Sequence, residues 1–435
     1  MSGSRALLLA AAGAFLLACC AGLAGAVRLV VPDAGAWLPP FEMLRPLHET
    51  LALGGLLSGA AGLVLRVMSD AGGKPAGAPV ACVMIAFATL GPLAVLFHLG
   101  SGREYFAWPA AANALLGLAF ALILLEIARA WRLLCDRSPE GLWLIGFGAV
   151  FVLASAIESA LWILPSVSGD VVRDLSVQWH SIDTLFAGLN AFLYGCGVLI
   201  VSGKPKPLRS APLFAIAAIG VLFTFAHHHY ISPQPMIFKV LALGASMLAV
   251  MSFVRRWPAF AAKQPPAHER APDDGLWRSV EGWTLVSVAS GVLFAIPQVN
   301  LLVHGTNLIV IHAMGSMIGV GVFIVVAGGL RLAPRAAATD WARANWGMRL
   351  VNGALIGLWV SLGADGLIEG VGRTHAEYFA YRELRDVALI GFPVFGTALF
   401  AGIALMSVTL ASAYVRAPAG AAAAPAEPRD TGELV

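Results

Sequence analysis

The sequence predicts an all-α, polytopic membrane protein, a single bundle of about twelve transmembrane helices, on three observations. Hydrophobic residues fill 59% of its 435 positions and charged ones only 12%, with a mean hydropathy of +0.80; a soluble domain carries about 25% charge. Apolar stretches long enough to cross a bilayer, roughly 20 residues each, cover nearly the whole chain. The loops between them alternate in charge, which orients the bundle.

The stretches run over 6–31, 45–68, 79–99, 108–132, 142–165, 176–202, 210–229, 236–255, 276–300, 304–331, 344–370 and 386–415. Every second loop is basic: Arg66 and Lys74, then Arg129, Arg132 and Arg137, then Lys204, Lys206 and Arg209, then Arg255, Arg256, Lys263 and Arg270, then Arg331, Arg335 and Arg343. Those loops and both termini are therefore expected on the cytoplasmic side of a bacterial-type inner membrane. Residues 1–416 form one membrane domain, and the Ala/Pro-rich residues 417–435 a disordered cytoplasmic tail. Lipid is the surrounding partner, and nothing points to nucleic acid. Five cysteines, at 19, 20, 82, 135 and 196, form neither CxxC nor CxxCH, so a zinc knuckle and covalent haem attachment are excluded. The run through Cys19-Cys20 continues apolar to Val31 and reads as a span, not a cleaved signal.

Histidine is the chemistry-bearing residue. His48, His180, the run His227-His228-His229, His304 and His312 each lie just inside an end of an apolar stretch. The alternation of segments puts every one of these ends on the outer side. A shared outer layer of imidazoles points to bound metal, because an unpaired imidazole inside a bilayer is costly and a metal-bound one is not. His312 and Met314 are two residues apart, about 200° on a helix, so one helix can present ligands to two cofactors. His180 and Asp183 are three apart and share a face, which brings a carboxylate beside the ring.

The segment Phe41-Glu42-Met43-Leu44-Arg45-Pro46-Leu47-His48 resembles the part of the haem-copper oxidase superfamily that carries a low-spin haem ligand at the start of the second helix. Trp179-His180 and His227-His228 resemble the ligands of the second metal of the binuclear centre. Pro297-Gln298-Val299-Asn300, His304-Gly305-Thr306 and His312 are similar to the tenth helix of nitric oxide reductase large subunits. There the residue matching His312 binds the high-spin haem, and the one matching His304 lies near haem propionates. Gly102-Arg103-Glu104-Tyr105 resembles the segment supplying a calcium-ligating glutamate in that family and in C-type oxygen reductases.

The resemblance implies two haems, taken as b-type, one non-haem iron or copper, and calcium at Glu104. It also implies a c-type cytochrome, as subunit or soluble donor. Counting back from Pro235 selects His227 and His228 as metal ligands, whereas matching Tyr230 selects His228 and His229; His228 is common to both. The chain departs from the pattern twice. Met314 stands where the family has a second histidine, so the low-spin haem would lie between His48 and a thioether, which raises its potential. Thr184 stands where nitric oxide reductases carry a glutamate, and Asp183 is the nearest carboxylate.

The resemblance implies that an oxygen reductase needs a tyrosine near the binuclear centre, which in the C-type branch comes from several residues before the paired histidines, but here Val221, Leu222, Phe223 and Phe225 fill that stretch. The expectation is therefore reduction of nitric oxide to nitrous oxide, with iron favoured over copper by a nearby carboxylate and Glu158 as proton donor. A terminal oxygen reductase is the nearest alternative. A haem sensor or degenerate homologue would also accommodate Met314, and a metal-ion transporter would need a polar path through the inner halves.

Overall fold

The computed structural model describes residues 2–31, 38–201, 271–334, 339–374 and 381–416, with parts of 235–247. The described chain is helical, its only strand-like feature a bridge between Arg103 and Phe106. The helices are α1 (Gly3–Val30), α2 (Phe41–Asp70), α3 (Gly77–Leu96), α4 (Ala110–Arg129), α5 (Trp131–Arg137), α6 (Pro139–Glu158), α7 (Pro165–Ser168) and α8 (Val171–Val201). There follow α9 (Asp274–Ala295), α10 (Pro297–Val303), α11 (Asn307–Met314), a π-helical stretch (Gly315–Val322), α12 (Phe323–Arg331), α13 (Trp341–Gly372), α14 (Arg382–Leu389) and α15 (Gly391–Val415).

Among the described residues nine helices are long and apolar enough to cross a membrane, or ten if α9 and α10, bent by 102°, count as one span. The expected spans 210–229 and most of 236–255 lie outside the described residues, as does the tail 417–435. Two expected spans differ in detail. The stretches 276–300 and 304–331 are not two plain helices, because Pro297 starts a new helix, Gly305 turns the chain at φ +71°, and Thr306 caps α11 through Leu308 N–H at 3.3 Å. Proline lacks a backbone N–H and suits the first turn, and the positive φ suits glycine. Neither signal interrupts hydropathy, so the apolar window reads straight through the break.

The hub of the bundle is α2. In its most apolar window 89% of residues are buried, against 17% for the α14–α15 span at the periphery. Between lipid-solvated helices the driving force is close packing, for which small residues are used. Leu53-Gly54-Gly55-Leu56-Leu57-Ser58-Gly59-Ala60-Ala61-Gly62 supplies them. Phe15 of α1 packs on Gly55, Leu8 on Gly62, and Val325 of α12 on Gly59.

Polar contacts at the helix ends sort the structure into two faces. On one, Arg5 donates to Val415 O (3.1 Å), Arg66 to Leu332 O (3.2 Å) and Arg137 to Leu199 O (2.8 Å), and Arg331 pairs with Asp273 (3.0 Å). Burial pulls the Arg137 guanidinium below its usual range, and Asp70 works against that. Glu126, in the last turn of α4, accepts from Ala76 N (2.9 Å) and Arg129 (2.5 Å), and so ties α4 to the start of α3. On the other face Arg103 pairs with Asp174 (2.6 Å) and Tyr105 stacks edge-on against Phe186 (4.8 Å). All four described candidate histidines, His48, His180, His304 and His312, lie toward this second face.

Candidate metal centre

Three of those histidines share one hydrogen-bond arrangement. His48 Nδ1 lies 2.7 Å from Ala18 O of α1. A carbonyl only accepts, so Nδ1 carries the proton and the neutral ring keeps its lone pair on Nε2. Gly22 makes the space, since a Cβ there would fall 2.7 Å from Nδ1. His180 Nδ1 lies 3.0 Å from Glu158 Oε2, the last residue of α6, and Thr184 Oγ1 is 3.5 Å from the same nitrogen. His312 Nδ1 is 2.9 Å from Ser290 Oγ of α9, and that hydroxyl gives its own proton to Val286 O at 2.7 Å. Ser290 therefore accepts from His312 Nδ1–H. Gly291 leaves room beside the ring, because a Cβ there would be 3.2 Å from Cε1, and Phe294 meets it edge-on at 5.9 Å.

Imidazoles that ligate metal through one nitrogen commonly donate the other N–H to a carboxylate, carbonyl or hydroxyl. This donor chemistry fits haem on His48 and His312 and a metal ion on His180. Among the described residues no group of three or more His, Cys, Asp and Glu converges to hold an ion. His227, His228 and His229, which the sequence adds to His180, lie outside the described residues.

Met314 is the last residue of α11, half-buried and packed on the core. Its depth relative to His48 follows from packing. Leu56 of α2 meets Gly321 and Gly59 meets Val325, so α2 and the 307–331 segment run parallel. His48 precedes Leu56 by eight residues, about 12 Å of α-helix rise, and Met314 precedes Gly321 by seven, a somewhat shorter rise because that stretch is π-helical. The two residues thus lie at similar depth on neighbouring helices. The π-helical stretch begins directly after Met314, and such insertions are frequent at functional sites.

Asp183 Oδ2 is shielded from solvent one turn beyond His180, but the carboxylate on the His180 ring is Glu158. Glu104 forms an ion pair with Arg45, which also holds Glu49 at 3.0 Å, and Glu49 accepts from Tyr105 N at 3.3 Å. Among the described residues no third acidic group joins Glu104 and Glu49, and the Glu104 carboxylate is held by the Arg45 guanidinium. Burial, reinforced by Glu49 and Glu104, pushes the Tyr105 phenol well above its usual range. His304 occupies the break before α11, its carbonyl accepting from Arg373 (3.0 Å) and its ring 6.2 Å from Trp179. Burial lowers the His304 pKa, Arg373 reinforces the shift and Glu104 opposes it.

Residues 4–391 match the family described as cytochrome C and quinol oxidase polypeptide I. The chain belongs to that family. A heme-copper terminal oxidase solved by cryo-EM as a dimer has a similar fold, with a TM-score of 0.71 at 14% identity over 98% of this chain and 87% of that one. No curated protein matches the sequence. As a haem-copper oxidase subunit I, the chain is an integral membrane oxidoreductase of respiratory electron transport, in a family that typically binds haems and a metal centre and works with other subunits.

Subunit I places its histidine support on elements that no local pattern marks. Ser290 and Ala18 carry no signal of their own, and Gly22 and Gly291 would be read as ordinary packing glycines. Glu158 is conspicuous in the sequence as a carboxylate in an apolar segment. Its partner becomes visible only when α6 and α8 pack.

Proposed function

We propose that this subunit I reduces nitric oxide to nitrous oxide, two NO with two electrons and two protons giving N2O and water, with electrons from a c-type cytochrome. The observation that carries the reading is the Glu158 carboxylate on His180 Nδ1 at 3.0 Å. A carboxylate beside the metal-binding ring raises its basicity and fixes its orientation, and Asp183, three residues on, would supply the carboxylate ligand that favours a hard ion, non-haem iron, over copper. His180 with His228 and one of its neighbours would hold that iron, His312 the high-spin haem, and His48 with Met314 the low-spin haem. Those groups, when bound, supply the binding and reductive coupling of the two NO molecules.

The chain's own residues orient and protonate. Glu158 fixes the plane of the His180 ring; at 27% side-chain exposure it can also exchange protons with water on the outer side. Among the described tyrosines none is placed to donate for O–O cleavage beside His180, Tyr381 standing at the start of α14. Tyr105 stacks on Phe186, Tyr194 bonds Thr284 at 2.6 Å, and Tyr414 donates to Gly329 O at 2.9 Å. The basic loops favour both termini in the cytoplasm, with the histidine layer toward the outer, donor-facing side.

Metal and haem analysis of the purified protein tests the reading: two haems and one iron per chain are expected, together with faster anaerobic NO consumption than O2 consumption from one reduced donor. Two haems and one copper, with four-electron O2 reduction, would overturn it and make the chain an oxygen reductase.

A further inference from the structure

Asp365 lies in the outer half of α13 with no exposed surface. A carboxylate buried inside a membrane bundle is costly unless its oxygens are engaged. Here both are. Oδ2 accepts from Asn307 Nδ2 at 2.7 Å and Oδ1 from Arg385 Nε of α14 at 2.9 Å. The chain of charge continues: Arg385 Nη2 binds Glu369 Oε2 (2.9 Å), Glu369 Oε1 takes Arg373 Nη2 (2.5 Å), and Arg373 donates to the carbonyls of His304 (3.0 Å) and Gly305 (3.3 Å).

These contacts grip both sides of one break. His304 closes α10 and Asn307 opens α11, with the left-handed Gly305 between them. Helix α13 also approaches this backbone without side chains in the way, Gly366 lying against Leu308 N and Gly370 against Leu302 O. Asn307 is five residues before His312 and seven before Met314, about 7 and 10 Å along a rigid helix. A shift at Asn307 is therefore delivered to both side chains, and ligand sites lose function when displaced by as little as about 1 Å.

We propose that Asp365 is the positioning residue for the His312–Met314 helix: it sets the helix through Asn307, while the Arg385–Glu369–Arg373 chain holds the turn before it. The inference rests on the reading that His312 and Met314 face the haems. Neither Asp365 nor Asn307 touches the reacting groups, so their effect must pass through α11.

The test uses the full-length protein and reads haem dissociation and the low-spin spectrum. Asp365→Asn keeps the shape but removes the charge, and Asn307→Ala cuts only the link to α11. Each is expected to weaken haem retention roughly 10–100-fold, in the range of lost supporting contacts at metal sites, and to lower the six-coordinate low-spin fraction. The double variant should cost no more than the worse single one, the mark of residues acting in series. If Asp365→Asn does not fold, Asn307→Ala alone carries the test, since it leaves the ion-pair chain intact. Wild-type spectra and haem retention in Asn307→Ala, or strictly additive effects, would overturn the proposal while His312→Ala still releases haem. A His312→Ala protein with both haems and unchanged spectra would overturn the underlying reading, and the proposal with it.

Discussion

In the inner half of the bundle, toward the basic loops, helix bodies meet by close approach, Leu8 on Gly62, Ile200 and Leu63 on Gly328, and Met406 on Gly347, and polar bonds such as Arg66 to Leu332 O and Arg331 to Asp273 join the helix ends. In the outer half they are held by directed polar bonds: Ala18 to His48, Glu158 to His180, Ser290 to His312, and Asp365 to Asn307 and Arg385. Packing of small residues fixes distance between helices but tolerates small slides and rotations. A hydrogen bond fixes direction as well, and falls off steeply with angle. The irregular backbone, with its break at 296–306 and the π-helical stretch from Gly315, begins in the outer half. The candidate ligands are therefore aimed by directed bonds, whereas the opposite half combines close packing of small residues with polar links at the helix ends.

Substitutions that exchange the two modes break or sharpen this contrast. The largest effect is expected for His312→Ala, which should release the high-spin haem and abolish turnover; haem content by pyridine haemochrome checks it. His228→Ala should remove the non-haem metal and turnover yet leave both haems in place, as elemental analysis would show, and full metal occupancy would sink the assignment. Ser290→Ala deletes the acceptor for His312 Nδ1–H, and should weaken haem retention roughly 10-fold, the lower end for a lost supporting bond. Comparable in size, Met314→His should lower the low-spin haem potential by about 60 mV, a tenfold change in a one-electron equilibrium, because a thioether favours ferrous iron. An unchanged potential would make Met314 a packing residue only.

The inner half should respond differently. A Cβ on Gly59 would come 2.5 Å from Val325 Cγ1, so Gly59→Ala is expected to cost about 1–3 kcal/mol by overpacking. Thermal unfolding in detergent should register that loss while haem potentials stay put. A Gly59→Ala protein with shifted potentials would show that the two halves are not separable.

Much of this was legible beforehand for a physical reason. Whether a segment enters the bilayer is a sum of per-residue transfer energies, a property of contiguous sequence. The outer layer of His48, His180, His304 and His312 followed from segment parity alone, and the family resemblance came from histidine spacing. Asp183 was the carboxylate three residues from His180 and so the natural choice by helical geometry, whereas Glu158, on another helix, makes the contact. The break before α11 stayed hidden because Ile296, Val299, Leu301, Leu302 and Val303 keep the hydropathy high through a bend of 102°.

By itself the sequence determined the membrane class, most helical spans of the described chain, the shared face of four of its imidazoles and the family it belongs to. Only the tertiary structure decided what each imidazole's second nitrogen meets, and which residues hold the ligand-bearing helix. The partners are 30 residues apart for His48 and Ala18, 22 for His180 and Glu158, 22 for His312 and Ser290, and 58 for Asn307 and Asp365. Hydropathy is additive along the chain. A hydrogen bond depends on two helices meeting at one rotation and one depth, which no stretch of either helix specifies alone.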